Sequence, residues 1–237
     1  PLAVGAGRPD RVQNALDALV HLAAVDLLRS GDVDVRAVSE LAAPTGDVSY
    51  PFAWHAVAAL APRAVDPVTT ANTAAFVPVV VVGVLGTAAL ARALFPRTPH
   101  VAPVAAVLTA GAVGAPLAIA VQPGLIPHAY GVALLPCTLA WLLRLGRPRP
   151  ADLVPGGLAA VGIGLSHPGA LVALLLLAAP WAVARAVRWQ GAVGARTPAG
   201  QRRLLLLFTG TGAVLAAPGL AMSLSSTCGA VGVVAAR

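Results

Sequence analysis

The sequence has little charge, no lysine and few aromatic residues. Only 11% of its 237 residues are charged, whereas a soluble domain carries roughly 25%. All sixteen basic residues are arginine, and aromatic residues make up 4% of the chain. The mean hydropathy is +0.82. A chain with so little charge is typical of an integral membrane protein, and we expect an all-α, polytopic bundle of transmembrane helices.

Several signatures of other protein classes are also absent. The two cysteines show no CxxC spacing, which argues against a disulfide framework or a cysteine metal site. No Walker A, GxGxxG, HExxH or GxSxG motif occurs, so nothing indicates nucleotide hydrolysis or a soluble hydrolase. The isoelectric point is near 11.2, but the arginines lie in short clusters between apolar runs. This pattern predicts no nucleic-acid partner.

Charge divides the chain at residue 67. Residues 1–67 hold eight of the nine acidic residues and have a net charge of −3, whereas residues 68–237 have a net charge of +10. We therefore predict an extracytoplasmic loop with amphipathic juxtamembrane helices over 1–67 and a transmembrane bundle of about six helices over 68–237. A span takes roughly 20 apolar residues. The candidate spans are 68–95, 100–121, 124–145, 151–166, 169–188 and 204–223.

The arginines indicate how the bundle is oriented. They cluster after the first, third and fifth spans, whereas the loops around 121–128, 165–169 and 224–230 contain none. By the positive-inside rule the arginine-rich side is cytoplasmic, so residues 1–67 face outward in a multi-pass protein of the cell membrane. The first residue is not methionine and the last ten stop inside an apolar run. We expect a fragment of a longer protein, with a first transmembrane helix upstream.

Two short surface helices are predicted before the bundle. One covers residues 9–30, from a Pro-Asp start to Gly31, and the other covers 51–61. In the first, an apolar face at helical spacing comprises Val12, Leu16, Leu19, Val20, Ala23 and Leu27. The opposite stripe comprises Asp10, Asn14, Asp17 and His21. In the second, Pro51 is expected at the first position and Pro62 as the stop.

Asp17 and His21 are the candidate catalytic pair. They lie four residues apart on one helical face. A carboxylate beside an imidazole can act as a general base, or the two can hold a divalent metal. The alternative is that this polar stripe is the solvated face of an amphipathic helix.

Histidines and aromatics on the predicted outer side suggest a substrate site. Loops that converge at one membrane face can build a polar cleft, where ionisable residues are costly and often functional. In SYPFAWH, at 49–55, aromatic rings can stack on a sugar and histidine can donate to hydroxyl or phosphate oxygens. Interfacial anchoring and a plain turn at SHPG, 166–169, are the alternatives. The candidate substrate-binding residues are Tyr50, Trp54, His55, His128 and His167.

Three segments together resemble a group of actinobacterial polytopic membrane proteins that look like the GT-C glycosyltransferase superfamily. They are ALDALVHLAAVDLLRSGDV (15–33), SYPFAWHAVAAL (49–60) and GLSHPGAL (164–171). The resemblance implies an enzyme that uses polyprenyl-phosphate sugars, with a catalytic acid in its first outer loop. That loop often closes on YP-x-x-x-H, as Tyr50, Pro51 and His55 do here. Many members have an acidic pair, whereas Ala18 follows Asp17 here.

The resemblance implies an inverting transfer in cell-envelope biogenesis. Asp17 takes the proton of a glycan or lipid acceptor, oriented by His21, and the lipid phosphate leaves, stabilised by histidine, arginine such as Arg63, or a divalent metal. The alternatives are a transporter or flippase for a lipid-linked envelope precursor and a non-catalytic membrane protein. Asp152 is the one acidic residue of the bundle region, which argues against the proton-relay chain of many ion-coupled transporters.

Overall fold

The structure is a computed structural model that describes residues 8, 10–12, 16–31, 52–111, 125–145 and 150–193. These residues contain seven helices and no strand, which confirms the all-α prediction. The helices are α1 (Leu16–Ser30), α2 (Ala53–Ala59), α3 (Pro67–Leu94), α4 (Val101–Gly111), α5 (Ile126–Arg144), α6 (Pro150–Ser166) and α7 (Pro168–Val193).

Three helices are long and apolar enough to cross a membrane. They are α3, α5 and the part of α7 from Pro168 to Arg185. Helix α4 and the Val154–Ser166 part of α6 are apolar but shorter. By length and composition, the chain is therefore a membrane protein. Three predicted spans are confirmed with similar bounds, namely 68–95, 124–145 and 169–188, and the one predicted at 204–223 lies outside the described residues.

The start of α3 follows the expected chemistry. Asp66 is the N-cap, and its Oδ2 accepts a hydrogen bond of 2.7 Å from the backbone N–H of Thr69. Pro67 stands at the first helical position, where its fixed φ suits a helix and its missing N–H costs nothing. The two residues together set the point at which the chain enters the bundle, as predicted from Asp66-Pro67.

The bundle is built around α3 and α5, which form its most extensive helix–helix contact. Helix α4 packs back on α3, while α6 and α7 pack on α5 and on each other. Small residues allow the close approaches, as is usual between membrane helices. A Cβ added at Gly86 of α3 would lie 3.0 Å from the backbone nitrogen of Cys137 in α5. One added at Gly131 of α5 would lie 2.8 Å from Ala170 Cβ in α7.

Alanine at Gly86 should loosen the α3–α5 contact. The new methyl group meets backbone, which cannot rotate away, so we expect a loss of about 1–3 kcal/mol in the free energy of unfolding. Gly162 of α6 is the matched control, because an added Cβ meets nothing within 4 Å. There alanine should raise helix stability by about 1 kcal/mol. Denaturant titration of Gly86→Ala and Gly162→Ala in detergent micelles measures both, and equal effects would contradict this packing.

Helix α1 differs from its prediction in its start and in its buried face. Residues 10–12 are not helical, and Asp10 forms an exposed ion pair with Arg8 at 2.7 Å. The predicted apolar face is wrong, since Leu19 is 45% exposed while His21 is only 3% exposed. The inward side instead carries Ala18, His21, Ala24, Val25 and Arg29. One residue of the stripe assigned to solvent, His21, therefore points into the protein.

Helix α2 is the element that joins the N-terminal layer to the bundle. It covers Ala53–Ala59 rather than the predicted 51–61, with Phe52 as its N-cap. Although it is only seven residues long, it contacts α1, α3, α5 and α6. Two consecutive side chains of this helix, Trp54 and His55, are fully buried. The short helix therefore places these two rings at the end of the bundle where α1 packs.

Candidate functional site

The first half of the site is a pair of buried imidazoles on α1 and α2. His21 Nδ1 lies 3.0 Å from His55 Nε2, within hydrogen-bonding distance. Trp54 packs edge-on against both, with ring centroids 5.9 Å from His21 and 4.9 Å from His55. Residues separated by 34 positions in the chain therefore form one cluster of rings. The pairing holds α1 and α2 together.

Trp54 is held in this cluster by a hydrogen bond to a backbone carbonyl of α3 that lies four residues before a proline. Pro78 lies inside α3 and has no backbone N–H, so the carbonyl of Ala74, four residues earlier, loses its α-helical donor. Trp54 Nε1 donates a 3.1 Å hydrogen bond to that carbonyl. The indole thereby satisfies the acceptor that the proline exposes. Sequence reasoning treated Trp54 as a substrate wall or an interfacial anchor, although a proline within a predicted span was a visible signal.

The second half of the site is another imidazole pair, on α5 and in the turn between α6 and α7. His128 Nδ1 lies 2.9 Å from His167 Nδ1, and the two rings meet at 70° with centroids 4.2 Å apart. His128 follows Pro127 in the first turn of α5. His167 is the one residue between α6 and α7. The backbone N–H of Gly169 donates to His167 Nδ1 over 3.1 Å.

The two pairs lie at the same end of the bundle. Helix α2, which carries His55, contacts both α5 and α6. His21 also acts electrostatically on His167. Four predicted site residues, His21, His55, His128 and His167, are thus brought together as two hydrogen-bonded pairs. Within the described part of the chain, no three His, Cys, Asp or Glu side chains form a group that could hold a metal ion.

Burial keeps His21, His55 and His167 neutral at pH 7. Desolvation lowers the pKa of His21 to about 4. Desolvation, then repulsion from His21, lowers the pKa of His55 to about 3. The pKa of His167 falls to about 4 through burial first, then the charges that His128 and His21 would carry. A neutral imidazole offers one donor and one acceptor, so this end of the bundle suits uncharged polar groups.

Asp17 and Tyr50, the remaining predicted site residues, are less closely tied to this cluster. Asp17 is partly exposed and lies one helical turn before His21 on α1. His21 Nδ1 turns toward His55, so the orienting role assigned to His21 beside Asp17 stays a prediction. Tyr50 lies outside the described residues.

Comparison with known proteins shows to which family the chain belongs. The sequence model of one family matches residues 1–233, almost the whole chain. The chain belongs to DUF6541. That family is described as one of unknown function. No curated protein and no solved structure matches the chain.

In this member of DUF6541, a cleft opens beside His21 and Trp54. It is lined by Val12, Ala18, His21, Leu22, Trp54, Val68, Ala71, Asn72 and Ile126. Its interior admits the centre of a water molecule over only about 10 Å³, roughly the space that one water needs. A sugar cannot enter it in this conformation. The cleft therefore marks where α1, α2 and α3 would separate if a larger ligand were to reach His21.

In this DUF6541 chain, two arginines connect the C-terminal end of α1 to the segment after α2. The sequence did not predict these contacts. Arg29 is only 8% exposed, and its Nη2 donates to the carbonyls of Pro62 and Val65, at 2.9 and 2.6 Å. In addition, Arg63 Nε donates a hydrogen bond of 3.0 Å to the backbone carbonyl of Arg29. Arg63 thereby caps the C-terminus of α1, and the phosphate contact expected for it stays a prediction. The signal for Arg29 was its position in the last turn of α1, where a cation is favoured.

Proposed function

We propose that this chain is part of an integral membrane, GT-C-like glycosyltransferase of cell-envelope biogenesis. It transfers a sugar from a polyprenyl-phosphate donor to a glycan or lipid acceptor at the outer face of the cell membrane. One observation carries the proposal. The three segments that resemble GT-C enzymes, 15–33, 49–60 and 164–171, are far apart in sequence. Even so, His21 and His55 are hydrogen-bonded, and α2, which carries His55, contacts α6, which ends next to His167.

The direction of the spans supports an outward-facing site. Helices α5 and α7 begin at the histidine end, with His128 in α5 and His167 just before α7. Their far parts carry Arg144 and Arg185, and the far end of α3 carries Arg92. The positive-inside rule assigns that arginine-bearing end to the cytoplasm. The histidine end then faces the side where polyprenyl-phosphate sugars are used by the enzymes that the chain resembles.

The proposal gives each part of the site a role. Asp17 is the base that takes the proton of the acceptor hydroxyl, and partial exposure leaves its carboxylate accessible. His128, His167 and Tyr50 bind polar parts of the substrates, and His21 orients the Asp17 carboxylate. His55 is 0% exposed and in this conformation supports His21 through their hydrogen bond. Trp54 is completely buried and bonded to Ala74, so in this conformation it supports α2 and is closed to a sugar.

Replacement of Asp17 tests the proposal directly. In membranes from cells that make the full-length protein, we expect labelled sugar to pass from a polyprenyl-phosphate donor to an extractable acceptor. Asp17→Asn keeps the size of the side chain but removes the base, so the rate should fall by about 10²–10⁴. Asp26→Asn is the matched control, because Asp26 is an exposed acid on the same helix. Its rate should equal that of the unchanged protein.

Two outcomes would overturn parts of this proposal separately. If the unchanged protein transfers no sugar from any of a panel of polyprenyl-phosphate sugars, the enzyme assignment fails. If transfer occurs and Asp17→Asn is as active as Asp26→Asn at equal membrane abundance, the assignment stands but Asp17 is not the base.

A further inference from the structure

The hydrogen bonds around His167 determine which of its nitrogens carries the proton. The backbone N–H of Gly169 points at His167 Nδ1 over 3.1 Å, and a backbone amide cannot lose its proton or rotate away. His167 Nδ1 must therefore present a lone pair. A neutral imidazole has one protonated nitrogen, so the proton of His167 is on Nε2. The tautomer of this ring is thus set by the SHPG turn.

The tautomer of His128 follows from that of His167. The two Nδ1 atoms lie 2.9 Å apart, and one of them must donate. Because His167 Nδ1 is an acceptor, His128 Nδ1 carries the hydrogen. The remaining nitrogen, His128 Nε2, is then an acceptor. The pair therefore presents one acceptor, His128 Nε2, and one donor, the N–H at His167 Nε2.

Both of these outer nitrogens are open. Neither has a hydrogen-bond partner among the described residues, and both rings are only partly buried. Neither is a buried, unsatisfied atom. Gly169 leaves the edges of the rings uncovered, because a Cβ there would lie 3.1 Å from His167 Cε1 and 3.9 Å from His128 Cε1. Glycine at this position thus leaves space beside the Cε1 atoms of the two rings.

We propose that His128 and His167 form a subsite for the hydroxyls of an uncharged sugar. Each hydroxyl both donates and accepts, so different hydroxyls of one sugar can match the acceptor His128 Nε2 and the donor N–H at His167 Nε2. A phosphodiester oxygen only accepts, so it would leave the lone pair of His128 Nε2 facing an anion. The subsite rests on the proposed function, because the sugar is part of the proposed substrate. It implies that the lipid phosphate binds to residues other than His128 and His167.

Two variants each remove one outer nitrogen and keep the bond between the residues. Asparagine at residue 128 retains a donor near the position of Nδ1 but lacks the acceptor at Nε2. Asparagine at residue 167 retains an acceptor for residue 128 and for Gly169 but lacks the donor at Nε2. We expect His128→Asn and His167→Asn each to raise the KM for the sugar-bearing substrate about tenfold, the loss of one hydrogen bond. Their kcat should change much less. His100→Asn, at an exposed histidine of the opposite end, should change neither.

A binding measurement separates this subsite from the transfer reaction. In full-length protein with ¹⁵N-labelled histidine, we expect His128 to be protonated at Nδ1 and His167 at Nε2. A neutral methyl glycoside should shift the Nε2 signals of both, whereas inorganic phosphate at the same concentration should not. If the glycoside shifts them and no transfer is found, the subsite stands and the proposed enzyme fails. If phosphate alone shifts them, or His167 is protonated at Nδ1, the subsite is overturned whether or not the enzyme is active.

Discussion

Replacing Trp54 by alanine should lower the free energy of unfolding by about 4 kcal/mol, the usual cost of removing a completely buried aromatic side chain. The indole is 0% exposed and belongs to a core cluster that includes Val25, Ala58 and Ala75. Its removal leaves a cavity between α1, α2 and α3, since the surrounding helices relax only in part. Denaturant unfolding in detergent micelles measures the loss.

A milder variant isolates the hydrogen bond to Ala74. Trp54→Phe keeps most of the ring but removes Nε1, so the carbonyl of Ala74 loses the donor that replaces the missing N–H of Pro78. An unsatisfied buried carbonyl costs about 1–3 kcal/mol. In a Pro78→Ala background the new backbone N–H can donate to Ala74, and Trp54→Phe should then cost about 1 kcal/mol less. Equal costs in the two backgrounds would show that Trp54 does not compensate for Pro78.

Acidification should destabilise the protein through His21 and His55. Their pKa values are about 4 and about 3 when folded, against an ordinary value of 6.5. Below pH 6.5 the unfolded chain therefore binds more protons than the folded one, and stability falls as pH falls. The loss continues until the folded pKa values are reached. At pH 5 it should be on the order of 4 kcal/mol for the two residues together, relative to pH 7.5.

Unfolding at a series of pH values checks this expectation. His55→Gln is the informative variant, because its amide can still pair with His21 Nδ1 but does not titrate. At pH 5 that variant should lose about 2 kcal/mol less than the unchanged protein, the contribution of one residue of this pair. The contribution of His167, whose pKa also falls to about 4, should be the same in both proteins. His100→Asn is the control, since His100 is exposed and its removal should leave the pH dependence as it was. Unfolding midpoints that stay constant from pH 7.5 to pH 5 would mean that the His21–His55 pair is not buried as a neutral pair.

Several features of the fold were predictable because local chemistry decides them. Long apolar runs predicted α3, α5 and α7, and no tertiary contact is needed to recognise a span of that length. Asp66-Pro67 predicted the start of α3 because capping involves only neighbouring residues. The helix break at SHPG was predictable because Pro168 has no backbone N–H and therefore cannot donate the hydrogen bond that would continue the preceding helix. Each of these inferences uses residues close together in the chain.

The buried face of α1 was not predictable in the same way. Leucine, valine and alanine occur on every side of the helix, so the apolar pattern does not single out one face. Packing against α2 then selected the side with His21 and Arg29, because each finds polar partners there, His55 for one and the carbonyls of Pro62 and Val65 for the other. A buried polar side chain is tolerated only with such partners. Those partners lie more than 30 residues away in sequence.

The sequence by itself determined that the chain is a helical membrane protein and where its longest spans begin and end. Hydropathy and helix capping are properties of local segments, and they do not depend on what each segment contacts. Only the tertiary structure decided that four histidines from four segments form two hydrogen-bonded pairs, and that Trp54 donates to the carbonyl left open by Pro78. Donor–acceptor geometry depends on positions within a few tenths of an ångström. Such positions follow from how α1 to α7 pack, which residue spacing along the chain does not specify.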